Sequence, residues 1–158
     1  MLQRKTGKAG FSLAELLVVI VIIGILSGVS LPRMANLRNS TRLHTAMAHF
    51  QRSVMAARQS AIQRGKRGYF KTNNNSVWVT LDTTGNNTDS VIVTAARNLS
   101  TEYGVTVSPA GLISVAYDPR GIATQSAKKT FIFTHTTSGM MDSLCVSKLG
   151  NTIRDRCP

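Results

Sequence analysis

Gly10-Phe11-Ser12-Leu13-Ala14-Glu15-Leu16-Leu17-Val18-Val19-Ile20 opens an apolar run that continues to Leu31. Between Phe11 and Leu31 the only charged residue is Glu15. As a helix this run spans about 31 Å, roughly the hydrocarbon core of a bilayer. Arg4, Lys5 and Lys8 precede it, an excess of positive charge that predicts a cytoplasmic N-terminus. A secretory signal fits less well, because its apolar region is shorter and a small-residue cleavage site follows it. Here Leu31-Pro32-Arg33 follows, and the small pair Ala9-Gly10 lies in front. A cut after Gly10 removes the basic leader and keeps the helix.

Glu15 calls for a partner, since a carboxylate inside a membrane helix costs about 2.5–3.5 kcal/mol on insertion scales. After a cut at Gly10, the new α-amino group of Phe11 stands four residues away. Neighbouring chains would bring more such amines.

Glycine before the cut, phenylalanine after it, glutamate four residues on and an apolar helix beyond resemble the prepilin peptidase site of the type IV pilin and pseudopilin family. The resemblance implies cleavage between Gly10 and Phe11, N-methylation of Phe11 and a helix that leaves the inner membrane to pack among other pilins. It makes Glu15 an assembly residue, paired with the Phe11 amine of an adjacent subunit. Gly24 and Gly28 form G-x-x-x-G, which lets helices approach closely. With Pro32 they are also points where the helix opens on leaving the bilayer.

Beyond Pro32 helical periodicity resumes. Leu43, Met47, Phe50, Val54, Ala57 and Ala61 follow 4-3-4-3-4 spacing and share one face, with Arg38, Arg42 and Arg52 opposite. The helix is expected to run from about Phe11 to about Gln63 and to stop at Arg64-Gly65. His44 and His49, five apart, do not align as two metal ligands. From Gly68 the pattern changes to short β runs. Tyr69–Thr72 and Val77–Leu81 flank Asn73-Asn74-Asn75-Ser76, a hairpin signal. Val91–Thr94, Val105–Val107, Leu112–Tyr117, Phe131–His135, Leu144–Lys148 and Thr152–Arg156 complete the strands. Ser108-Pro109-Ala110-Gly111 and Asp118-Pro119-Arg120-Gly121 place Pro second and Gly fourth, as type I turns prefer.

The fold class is therefore α+β, type IV pilin-like, with a long N-terminal helix packed on antiparallel sheet. The expected divisions are 1–10 leader, 11–31 transmembrane or filament-core helix, 32–66 amphipathic continuation and 67–158 β-rich globular domain. Tyr117-Asp118-Pro119-Arg120-Gly121, Cys145 and the Arg-x-Arg-Cys ending resemble the GspH/FimT/FimU branch of minor pilins and pseudopilins. The segment from about Tyr69 to Glu102 carries no matching motif.

The chain has 19 Lys and Arg against 7 Asp and Glu, a net charge of +12. Without Arg4, Lys5 and Lys8 it stays strongly basic, which points to an acidic partner. The sequence has no Gly-rich phosphate loop, no H-E-x-x-H and no G-x-S-x-G, so an enzyme is not expected. No cofactor is implied. Cys145 and Cys157 are the only cysteines. An inside N-terminus places the globular domain in the periplasm and later on the pilus at the cell surface of a bacterium. That oxidising compartment predicts a disulfide between the two. Two cysteines without a nearby histidine do not make a closed zinc site.

Gly150-Asn151 reads as a turn displaying Lys148, Arg154 and Arg156, and Lys128 and Lys129 extend the patch if they lie nearby. Arg154 and Arg156 alternate by two and share a strand face, where two guanidinium groups can meet adjacent phosphates. FimT members of the branch that serve natural transformation bind DNA through a C-terminal Gly-Arg-x-Arg. This chain has Arg154-Asp155-Arg156, with Asn151-Thr152-Ile153 between Gly150 and the first arginine. The resemblance thus implies a minor pilin that takes up double-stranded DNA. The alternatives are a purely structural minor pilin that primes assembly, and a GspH-type pseudopilin of a type II secretion system. Prepilin peptidase and other pilins are partners in every case.

Overall fold

The computed structural model describes residues 11–85 and 90–154, without the side chains of 29–33 and 90. The expected leader, Gly10, Arg156 and Cys157 lie outside the described residues. In chain order the elements are α1 (Leu13–Arg64), β1 (Gly68–Asn73), β2 (Ser76–Asp82), β3 (Ser90–Asn98), α2 (Leu99–Tyr103), β4 (Val105–Ser108), β5 (Ile113–Tyr117), β6 (Lys129–His135), β7 (Met141–Val146) and β8 (Thr152–Arg154). The chain divides into two units, Met1–Leu37 and Arg38–Pro158.

In the first unit Ser12 caps α1. Its hydroxyl accepts from the Glu15 N–H at 3.2 Å and its carbonyl from the Leu16 N–H at 3.2 Å. Ser12-Leu13-Ala14-Glu15 is thus an S-x-x-E capping sequence, with Glu15 in the first turn where the helix dipole favours an anion. Leu16 through Leu26 expose their apolar side chains. Among the described residues, a Cβ at Gly24 or Gly28 would meet nothing within 4 Å. Among the described residues no helix is long and apolar enough to cross a membrane. The apolar stretch described with its side chains ends at Gly28, whereas the sequence carries it on to Leu31.

In the second unit the periodic face of α1 is the core. Leu43, Met47, Phe50, Val54, Ala57 and Ala61 are all buried, joined by Ala46. The helix ends as expected, with Gly65 at φ 60° and the Lys66 N–H returning to the Ala61 carbonyl at 3.2 Å. Two four-stranded antiparallel sheets pack with it, in the orders β3-β2-β1-β5 and β4-β6-β7-β8. Phe50 touches both: its ring lies 4.7 Å from Phe70 of β1, 4.8 Å from Phe131 and 5.2 Å from Phe133 of β6.

The β1–β2 hairpin closes on Asn74 and Asn75, both with positive φ, as its asparagine run predicts. Ser108–Gly111, read from the sequence as a turn, carries the chain from β4 in the second sheet to β5 in the first. Helix α2 was not expected, although Asn98 caps it by accepting from the Ser100 and Thr101 N–H groups and Gly104 ends it at φ 67°. Five residues are too few for helical periodicity to register.

Candidate nucleic-acid interface

β7 and β8 pair antiparallel, with Leu144 opposite Arg154 and Val146 opposite Thr152. The turn between them is held by the Ser147 N–H on the Asn151 carbonyl and the Gly150 N–H on the Ser147 carbonyl, each at 2.9 Å. Lys148 sits in this turn and is exposed. Lys129 begins β6 opposite Val146, so Lys128 and Lys129 come to the same end of the second sheet as Lys148. The Lys129 ammonium donates to the Ser114 carbonyl of β5, which turns it toward the first sheet.

Arg154 is differently placed from a freely displayed cation. Its Nε and one terminal nitrogen reach Asp142 Oδ2 at 3.1 and 2.6 Å. The same terminal nitrogen lies 3.0 Å from Nδ1 of His44, on α1. The cause is the register: Asp142 stands two residues before Leu144, the residue facing Arg154, so the two side chains form a diagonal pair on one sheet face. Asp142 is the residue that reading the sequence for cations alone passes over. Arg156 and Cys157 lie outside the described residues; Cys145 is buried in β7.

The Tyr117–Gly121 stretch sets the position of this end. Tyr117 is fully buried, and its hydroxyl donates to the Gly150 carbonyl at 2.9 Å. Burial pushes its phenol up to about 12. Gly150 has φ 84°, and a Cβ there would run into the Tyr117 ring and stand 2.9 Å from Ala123 Cβ. Asp118 Oδ1 accepts from the Ile122 and Arg120 N–H groups at 2.9 and 3.0 Å, closing the turn on itself. The Ile122 hydrogen bond, against desolvation and with lesser help from Arg120, holds the Asp118 carboxyl below its usual range. Gly121 abuts α1, where a Cβ would stand 2.6 Å from Ile62 Cδ1. Arg58 of α1 completes the tie by donating to Asn151 Oδ1 at 3.1 Å. The turn carrying Lys148 is therefore clamped from both the first sheet and the helix.

His135 is buried in β6, where its Nδ1 meets the Ser138 N–H at 3.2 Å and the Ser138 hydroxyl at 3.1 Å. Among the described residues no cluster of three or more His, Cys, Asp or Glu could hold a metal ion.

The fold is similar to that of the type IV minor pilin FimU of Pseudomonas aeruginosa. One crystal structure of that protein matches with a TM-score of 0.56 at 11% identity, over 74% of this chain and 90% of the other. A second crystal form gives 0.52 at 11% identity, over 72% and 92%. No curated protein sequence matches the chain. Residues 5–31 match the prokaryotic N-terminal methylation motif. Residues 46–150 match the family described as type II transport protein GspH, and this range holds both sheets down to the Ser147–Gly150 turn. The chain belongs to the GspH family and is a minor type IV pilin or GspH-like pseudopilin with an N-terminal methylation motif.

Proposed function

We propose that this subunit enters a type IV pilus and binds duplex DNA there for uptake, through the end of the second sheet that carries Lys128, Lys129 and Lys148, with Arg154 and, from the sequence, Arg156 as further phosphate contacts. The supporting observation is the convergence on one sheet end of cations distant in sequence, in a chain of net charge +12. The role is binding and structural rather than catalytic. On this reading prepilin peptidase cuts between Gly10 and Phe11, Phe11 is N-methylated, and residues 11–31 hold the subunit in the inner membrane until it is extracted. Glu15 then pairs with the Phe11 amine of a neighbour. Cys145 and Cys157 form a disulfide that staples the basic end.

The test is binding of labelled duplex DNA to the full-length protein in detergent. Affinity should fall steeply as salt rises, and Lys128→Ala with Lys148→Ala should weaken it at every sequence alike. Binding that ignores salt, or that survives the double substitution unchanged, rejects the reading. A second reading, a pseudopilin of type II secretion, is favoured by the family match over residues 46–150. Deletion that stops protein secretion but spares DNA uptake would select it.

A further inference from the structure

The predicted core face of α1 has a counterpart whose arginines stay exposed, while His49 and Ala56 at its lower end are half-buried. Arg38, Arg42, Thr45, His49, Arg52 and Ala56 follow the same 4-3-4-3-4 spacing, and so form a second stripe along the helix. Arg38, Arg42 and Arg52 are exposed. Their Cα positions from Arg38 to Arg52 span about 21 Å along the axis, the rise of about six base steps of duplex.

The stripe ends in a groove of about 400 Å³ between α1 and β3, the edge strand of the first sheet. His49, Arg52 and Ser53 line it from the helix, Thr94 and Arg97 from the strand. Two of its polar atoms, His49 Nδ1 and Thr94 Oγ1, are buried with no hydrogen-bond partner among the described residues. Buried polar groups are rarely left so, and each costs about 1–3 kcal/mol until something binds it. Ser53 is already engaged, its hydroxyl on the His49 carbonyl at 3.0 Å. Glu102 is the carboxylate in reach, 3.5 Å from Arg97, in a pair with both side chains well exposed. Among the described residues Arg52 has no ion-pair partner.

We infer that the α1–β3 groove is a binding site for the phosphodiester groups of a nucleic acid, held by Arg52 and Arg97 with His49 and Thr94 completing the contact. Two guanidinium groups beside an imidazole and a hydroxyl suit a tetrahedral oxyanion with several acceptors. The repeated cations of the stripe suit a polymer with regularly spaced charges better than a single protein carboxylate. A second copy of this chain is a poor occupant, since it offers only 7 Asp and Glu against 19 Lys and Arg. The inference shares the nucleic-acid partner with the reading above, but none of its residues.

Full-length protein in detergent, with its histidine rings isotopically labelled, is titrated with inorganic phosphate and then with a short duplex oligonucleotide. Both should shift the His49 ring signals. Arg52→Ala with Arg97→Ala should weaken oligonucleotide binding at least tenfold and lower the slope of log K against log salt by about two. Thr94→Val, which changes no charge, should weaken it severalfold. If the double variant binds as tightly as the parent, while Lys128→Ala with Lys148→Ala does not, the groove is rejected and the sheet-end reading stands. If the groove variant alone loses binding, the groove stands and the sheet-end reading falls. Phosphate that moves His49 without any oligonucleotide binding rejects the nucleic-acid assignment, as does displacement of the oligonucleotide by polyglutamate at equal charge.

Discussion

The Tyr117 hydroxyl donates to the Gly150 carbonyl at 2.9 Å, which joins β5 of the first sheet to the β7–β8 turn of the second. The contact is as much steric as polar. Gly150 sits at φ 84° with the tyrosine ring and Ala123 filling the place of a side chain. Gly150→Ala therefore adds a clash to the left-handed penalty, and should cost more than the roughly 1–2 kcal/mol of that conformation alone. Gly139→Ala is the control: φ is 67° there, but nothing lies within 4 Å of a Cβ. Denaturant titration of both variants should show the first much the less stable. Equal losses would mean that the turn relaxes away from Tyr117.

The same tyrosine predicts a pH dependence. Its folded pKa, about 12, lies above the ordinary 10. A raised folded value gives stability that is whole below pH 10 and is lost as pH climbs through about 12. Two units correspond to about 2–3 kcal/mol over that window. Tyr117→Phe should remove this part of the alkaline loss, at a cost near neutrality of about 1–3 kcal/mol for the orphaned Gly150 carbonyl. An alkaline unfolding curve that keeps its shape in the variant would assign the loss to other groups.

Phe50 is where helix and both sheets meet, so Phe50→Ala should cost about 3–5 kcal/mol. Amide exchange distinguishes how: protection should drop in β1 and β6 together, because Phe70, Phe131 and Phe133 all pack on that one ring. Loss confined to one sheet would show that the two cores are separable.

How much of this was legible depends on whether a signal is local. The core face of α1 follows from spacing alone, since 4-3-4-3-4 repeats place Leu43 through Ala61 on one side wherever the sheets lie. The hairpin at Asn73–Ser76 is read from turn chemistry in the same way. Which sheet a strand joins is not local: Val105–Val107 and Leu112–Tyr117 flank one short turn, Ser108–Gly111, yet they belong to different sheets. The Asp142–Arg154 pair was hidden for a related reason. Twelve residues separate them, and only the register of β7 on β8 brings the carboxylate to the arginine. The S-x-x-E relation of Ser12 to Glu15 is local as well, and it adds a helix-start role to a glutamate that the membrane cost alone reads as an assembly residue.

Asp142 restrains one of the cations proposed to meet DNA. The pair is half open, with the Arg154 side chain 48% and that of Asp142 12% exposed, so breaking it should cost more than a surface ion pair, about 1–3 kcal/mol of stability. Asp142→Asn should leave the fold intact, tighten DNA binding and steepen its salt dependence by about one phosphate contact. The measurement is the slope of log K against log salt in both proteins. An unchanged slope would mean that Arg154 serves only to hold β8 to β7 and to His44.

Glu15 carries two separable roles, and conservative variants divide them. In the first it is an anion in the opening turn of α1, behind the Ser12 cap. In the second, proposed, it is the partner of a neighbour's Phe11 amine in the filament. Ser12→Ala removes the cap and keeps the charge, at a cost of about 0.5–2 kcal/mol of helix stability. Glu15→Gln keeps a residue suited to that helix position and removes the charge. A lone carboxylate in an apolar setting costs about 2.5–3.5 kcal/mol, and each 1.4 kcal/mol of pairing is tenfold in equilibrium. Incorporation into sheared filaments, relative to the membrane-bound pool, should therefore fall more than tenfold for Glu15→Gln and only modestly for Ser12→Ala. The reverse order would make Glu15 a helix-start residue and leave assembly to the apolar face from Leu16 to Leu26.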